Sequence, residues 1–154
     1  MVSRQQVIGI IGALIVFLGM FLPLVTISIR SGGFTLYDSV NWIESGAGFA
    51  ALLIILIIAS VVLLFTEYRK FASLTGVLTA ITVVVRLIYT LQDAANFAQL
   101  ERMFGQPGGM TDPGGMVYGD FIGMSVNPIG WVILLLGSIV IVYSGLRSER
   151  KSEN

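Results

Sequence analysis

Four long apolar runs, residues 6–23, 48–66, 71–92 and 128–146, take up half of a chain of 154 residues and leave few folds open to it. Each is close to the ~20 residues a helix needs to cross about 30 Å of hydrocarbon. No water reaches backbone groups in a bilayer core, so a spanning run must satisfy them internally as a helix. The expected fold is an all-α integral membrane protein, a single domain over residues 1–154. Its four transmembrane helices form a bundle, with outer loops at 24–47 and 93–127. Composition agrees, because 55% hydrophobic residues, 12% charged residues and a mean hydropathy of +0.88 leave a water-soluble domain too little polar surface.

The residues that are missing narrow the chemistry. The chain has no cysteine and no histidine, which removes thiolate nucleophiles, disulfides, the commonest metal ligands and the usual base near neutral pH. Within the four runs there is no Asp, Glu or Lys either, and the hydroxyls of Ser60 and Ser138 have no activating base in their segments. The expected protein is not an enzyme and carries no cofactor or metal. Nine basic residues balance nine acidic ones without a basic run, so no nucleic-acid partner is expected. No inverted repeat and no Gly/Pro-broken pair of helices points to secondary transport.

Charge placement sets the threading, since short loops rich in Lys and Arg stay on the cytoplasmic side. Arg4, Arg69, Lys70, Arg147, Arg150 and Lys151 lie at the two ends and between the second and third runs, against Arg30 and Arg102 in the other loops. Both termini are therefore expected in the cytoplasm, in a multipass plasma-membrane protein with two outer loops. The start Met1-Val2-Ser3-Arg4 looks like a signal peptide, but Pro23 leads into an alternating stretch and not a small-residue cleavage pattern. The first run reads as an uncleaved span. The connection Glu67–Lys70 is short enough to make the second and third helices antiparallel neighbours.

In the first outer loop Val25, Ile27 and Ile29 alternate with Thr26, Ser28 and Arg30, then Ser31-Gly32-Gly33 supplies a turn and Phe34–Tyr37 alternates again. This predicts a small extracytoplasmic β-hairpin that leans on the bundle or on a neighbouring subunit. Trp42 and Trp131 flank spans where interfacial aromatic anchors belong. The second outer loop continues the third helix as an amphipathic extension to Gly105, followed by Pro107-Gly108-Gly109-Met110 and its repeat Pro113-Gly114-Gly115-Met116, which predict tight turns. Asp112 and Asp120 offer oxygens of the kind calcium takes, at a spacing that matches no EF-hand. Met110, Met116 and Met124 with Phe121 and Ile122 suggest an adaptable apolar loop that meets lipid headgroups or a partner. Asn127-Pro128 caps and starts the fourth helix.

Lipid tails solvate leucine as well as a neighbouring helix does, so small residues mark where membrane helices meet. Gly9, Gly12, Gly19, Gly76, Gly130 and Gly137 are the expected packing positions. The third helix differs in that Thr75, Thr79, Thr82, Arg86, Thr90 and Asp93 recur at intervals of three and four, one polar stripe along its length. Threonines return their hydroxyls to backbone carbonyls, but an arginine in a span costs ~2.5–3.5 kcal/mol on insertion scales and faces protein or a watery cavity. Three roles remain open for Arg86: binding loop carbonyls or pairing with Asp93, Glu44 or Asp38; holding an anionic headgroup or a partner's carboxylate; or lining a pore.

The layout resembles that of claudin-type tetraspan proteins: cytoplasmic ends, a β-containing first outer loop, one very short inner loop and a smaller helical second outer segment. That family's Trp-Gly-Leu-Trp and paired Cys are missing, with Trp42 a solitary aromatic, so no site residue carries over. The expected function is that of an accessory, scaffold or self-assembling subunit of a membrane complex. Its partners are membrane lipids and other membrane subunits or itself. The alternative is a homo-oligomeric channel lined by the stripe and Arg86.

Overall fold

The computed structural model describes residues 3–31, 34–66, 68, 71–104 and 121–149. It contains four helices, α1 (Arg4–Gly19), α2 (Ala47–Phe65), α3 (Phe71–Phe104) and α4 (Pro128–Glu149), and three strands, β1 (Val25–Ser31), β2 (Phe34–Val40) and β3 (Phe121–Val126). Three helices, α2, α3 and α4, are long and apolar enough to cross a membrane, which makes this a multipass membrane protein by helix composition.

Helix α1 is shorter than the span expected over residues 6–23. Its 16 residues cover ~24 Å. Beyond Gly19 the chain tightens, with Phe21 N–H donating to Leu18 C=O and Leu22 N–H to Gly19 C=O, both three residues back. Pro23 then stops it, because a proline ring pushes the residue before it away from helical geometry. The start is set by a capping box: Ser3 Oγ accepts from Gln6 N–H at 3.3 Å, and Ser3 N–H donates to Gln6 Oε1 at 2.7 Å.

Each helix packs on two others, α1 between α2 and α4, and α3 between α2 and α4, so the four close into a bundle. Glycines set the closest approaches. A Cβ added to Gly137 would stand 2.8 Å from the backbone nitrogen of Val16 and 3.0 Å from the carbonyl oxygen of Gly12, where α1 and α4 touch backbone to backbone. Between α3 and α4, a Cβ on Gly76 would stand 2.8 Å from Val142 N, and one on Gly145 would strike the backbone of Ser73. Gly9 lies against the side chains of Leu64 and Ser144, Gly19 against Leu134, and Gly130 2.9 Å, measured from an added Cβ, from the Pro23 carbonyl. At the same end as the α1 N-terminus, Gln6 Nε2 donates to Leu64 C=O at 2.8 Å and Gln5 Nε2 to Arg147 C=O at 2.8 Å. The start of α1 is thereby tied to the ends of α2 and α4.

The opposite end carries the sheet. Strands β1 and β2 pair antiparallel from Val25↔Val40 to Ser31↔Phe34, which is the hairpin read from the sequence, extended to Val40. A third strand corrects the rest of that reading. Phe121, Ile122 and Met124, expected on an adaptable apolar loop, belong to β3, antiparallel to β1 from Val25↔Val126 to Arg30↔Phe121, in the order β2-β1-β3. A hairpin alone leaves the outer backbone groups of β1 open, and β3 satisfies them. Met124 is consequently packed with Val126 and Ile27 against the core and is no free contact for lipid. The two Pro-Gly-Gly-Met segments with Met110 and Met116, Asp112 and Asp120, the turn at Gly32-Gly33, and Glu67, Arg69, Lys70, Arg150 and Lys151 lie outside the described residues.

Sheet and bundle are joined where β3 packs against α3 and at a junction of chain ends. Leu24 N–H donates to Val40 C=O at 3.0 Å, Trp42 N–H to Met20 C=O at 3.1 Å and Asn127 N–H to Leu24 C=O at 2.8 Å. The ends of α1, β2 and β3 converge there over a core of Met20, Leu24, Val25, Trp42 and Trp131.

Candidate functional site

The stripe on α3 faces inward. Thr75, Thr79, Thr82 and Thr90 are all buried, and each donates its hydroxyl to a carbonyl one turn back, on Ala72, Thr75, Leu78 and Arg86 respectively, at 2.8–2.9 Å. Local back-bonding satisfies the hydroxyl without a partner on another helix. One link does cross to α2, where Ser60 Oγ donates to Thr75 Oγ1 at 2.7 Å, with Leu56 C=O 2.8 Å away. Ser138 likewise returns its hydroxyl to Leu134 C=O. These serines are bonded to carbonyls and a threonine, none of which is a base able to activate them.

Arg86 sits toward the sheet end of this seam, half-buried. Its Nη2 donates to the Ser45 carbonyl at 2.7 Å, and the guanidinium lies over the Phe49 ring, 5.3 Å from the centroid. The contact joins α3 to the turn that starts α2. That turn is built by Asn41, whose Oδ1 accepts from Ile43 and Glu44 N–H, while Glu44 Oε2 accepts from Asn41 N–H. Ser45 and Phe49 were not singled out in the sequence, and nothing in their local pattern marks them. Asp93, two turns along α3, stands exposed, so the stripe divides into a buried part and a solvent-facing end. The arginine takes a carbonyl and an aromatic face. Its Nε is buried with no hydrogen-bond partner.

Trp42 and Trp131 are not at a lipid-facing belt. Both are buried, 0% and 3% exposed, and meet edge to face with ring centroids 5.6 Å apart at 64°. An anchor in the headgroup layer keeps its polar edge wet, whereas these rings fill the joint between bundle and sheet. Trp131 Nε1 donates to Leu24 C=O at 3.2 Å, while Trp42 Nε1 is buried without a partner. The pair therefore makes a test. Both Trp131→Phe and Trp42→Phe lose ring volume, but the first also loses a hydrogen bond and the second an unsatisfied donor, so the first is expected to cost about 1–2 kcal/mol more than the second. Thermal midpoints in one detergent measure the difference, and equal losses contradict this assignment of the two indoles.

A recess of about 340 Å³ between α3 and α4, lined by Val77, Ile81, Val84, Ile139 and Val142, has no polar group in its lining. Among the described residues no group of three metal-ligating side chains comes together. No protein-family model matches the chain, and no curated protein is significantly similar to it.

Proposed function

We propose that the protein is a non-enzymatic multipass subunit, a scaffold or accessory component of a plasma-membrane complex that also associates with itself. One observation carries this reading: the bundle spends its polar groups internally, while the sheet presents Phe34, Leu36 and Tyr37 outward, at 79%, 69% and 73% exposed. Large apolar side chains clustered on an element outside the bilayer mark a contact with another protein.

In this reading all four helices cross the membrane. The 16 residues of α1 and the three tightened residues after them reach ~30 Å. Both termini and the α2–α3 connection are cytoplasmic, and the sheet is outside. The runner-up, a homo-oligomeric channel, would need the stripe of α3 to face an axis between copies. Burial of Thr75, Thr79, Thr82 and Thr90 against the chain's own helices weighs against that.

Purification in mild detergent separates the two. A scaffold is recovered as an oligomer or with larger partners and passes no current in a pure bilayer. Single-channel currents altered by Arg86 substitutions would overturn the proposal in favour of the channel.

A further inference from the structure

We infer that β2 is a self-complementary docking edge, and that its occupant is β2 of a second copy of this chain, paired antiparallel about a twofold axis through Tyr37. This deepens the self-association in the reading above and rests on it. Among the described residues, the sheet order β2-β1-β3 leaves one long side of β2 without a partner strand. Its first six residues, Phe34–Ser39, are exposed. Chains normally blunt such an edge with proline, lysine or a bulge, and residues 34–40 contain neither proline nor lysine and pair with β1 in unbroken register.

Which backbone groups are open follows from one bond. Asn127 N–H donates to Leu24 C=O in the β1–β3 register, so Leu24 C=O faces β3, the next residue, Val25, faces β2, and its partner Val40 turns toward β1. Successive residues in a strand alternate sides, hence Phe34, Leu36 and Asp38 also turn their N–H and C=O toward β1, and Thr35, Tyr37 and Ser39 turn theirs to the free edge. Strand β2 spans seven residues, Phe34–Val40, so an axis at its centre, Tyr37, pairs all of them. Tyr37 then exchanges two hydrogen bonds with its own copy, and Thr35 does the same with Ser39 of the second copy.

The side chains match in that register. Phe34 falls opposite Val40, aromatic against β-branched; Thr35 opposite Ser39, hydroxyl against hydroxyl; Tyr37 opposite Tyr37. Pairs of these kinds contribute ~0.2–1 kcal/mol each. The only charged residue in β2, Asp38, falls opposite Leu36 and not opposite itself. Moving the axis one residue to Asp38 would set the two acids face to face and shorten the pairing, which argues against that register.

The absence of cysteine from the chain gives a clean test. Leu36 and the second copy's Asp38 form a non-hydrogen-bonded pair, the closer of the two kinds and within disulfide reach. Leu36→Cys and Asp38→Cys proteins are purified separately in detergent, mixed, and oxidised with copper phenanthroline. The mixture is expected to cross-link at least tenfold faster than either variant alone, and Tyr37→Pro, which removes an outward N–H and the self-paired ring but no bond to β1, is expected to abolish dimers of the cysteine-free chain while its thermal midpoint stays close to wild type. Oligomers that persist in Tyr37→Pro, with no preference for the mixed cross-link, overturn the β2 pairing and leave self-association standing. A wild-type chain that is monomeric in detergent and in lipid nanodiscs overturns both.

Discussion

Replacing Gly137 with valine is expected to be among the most damaging single changes in the bundle. The new side chain would begin 2.8 Å from the Val16 nitrogen and 3.0 Å from the Gly12 oxygen, both main-chain atoms. A flexible side chain in the way would simply move, but here α1 and α4 must separate or shift. Overpacking of this kind costs about 1–3 kcal/mol, with the upper end expected where the obstacle is backbone, or ~5–10 °C of thermal midpoint for a chain of this size. Tight contact between small residues is also what drives association of helices in lipid, so the loss falls on the interaction that holds α1 in place. Gly48→Ala is the matched control, since a Cβ there meets nothing within 4 Å. It is expected to leave the midpoint within about 1 kcal/mol of wild type, on the favourable side if helix propensity dominates. Equal effects of the two changes would contradict the backbone contact.

Arg86→Leu is expected to lower both thermal midpoint and folded yield, with Arg86→Lys between it and wild type. Two terms oppose each other. Removing the guanidinium forfeits a charge-assisted bond to Ser45 C=O, worth ~1.5–3 kcal/mol, and a cation over Phe49, worth ~0.5–2 kcal/mol. Against this, a charge taken out of a span returns ~2.5–3.5 kcal/mol at the bilayer centre. Arg86 lies beside the first turn of α2, near the end of the span, where that return is smaller, so the lost contacts win by about 1–2 kcal/mol. Lysine keeps the charge but not the planar fork that bonds Ser45 and stacks on Phe49 together. A leucine variant as stable and as abundant as wild type would show that the contact does not hold α3 to the α2 turn.

The helices were legible because uninterrupted apolar runs of span length have one solution in lipid. The β1–β2 hairpin was legible because Val25, Ile27 and Ile29 alternate with polar residues and, past the Ser31-Gly32-Gly33 turn, Phe34–Tyr37 alternates again. Strand β3 was not, because Phe121-Ile122-Gly123-Met124 lacks alternation and its partners lie about 95 positions earlier, a distance no local pattern spans. The two tryptophans were misplaced for a related reason. A tryptophan beside a span is an interfacial anchor unless something covers it, and what covers Trp42 and Trp131 is the sheet joint, which depends on β3. Gln6 was readable and missed: Ser3-x-x-Gln6 is a capping-box spacing, although its bond to Leu64 was not foreseeable. Arg86 was visible as an anomaly, and its choice of the Ser45 carbonyl over Asp93 came only from the fold.

The account depends on α1 and α2 each crossing the bilayer, with the sheet on the far side from both the α1 N-terminus and the α2–α3 connection. Single cysteines at Ser3, Thr35 and Tyr68, introduced into the naturally cysteine-free chain, read this directly in intact cells with a membrane-impermeant maleimide. Thr35→Cys is expected to label from outside, while Ser3→Cys and Tyr68→Cys label only after the membrane is opened. Labelling of Ser3→Cys or Tyr68→Cys from the same side as Thr35→Cys would remove a crossing and contradict the account.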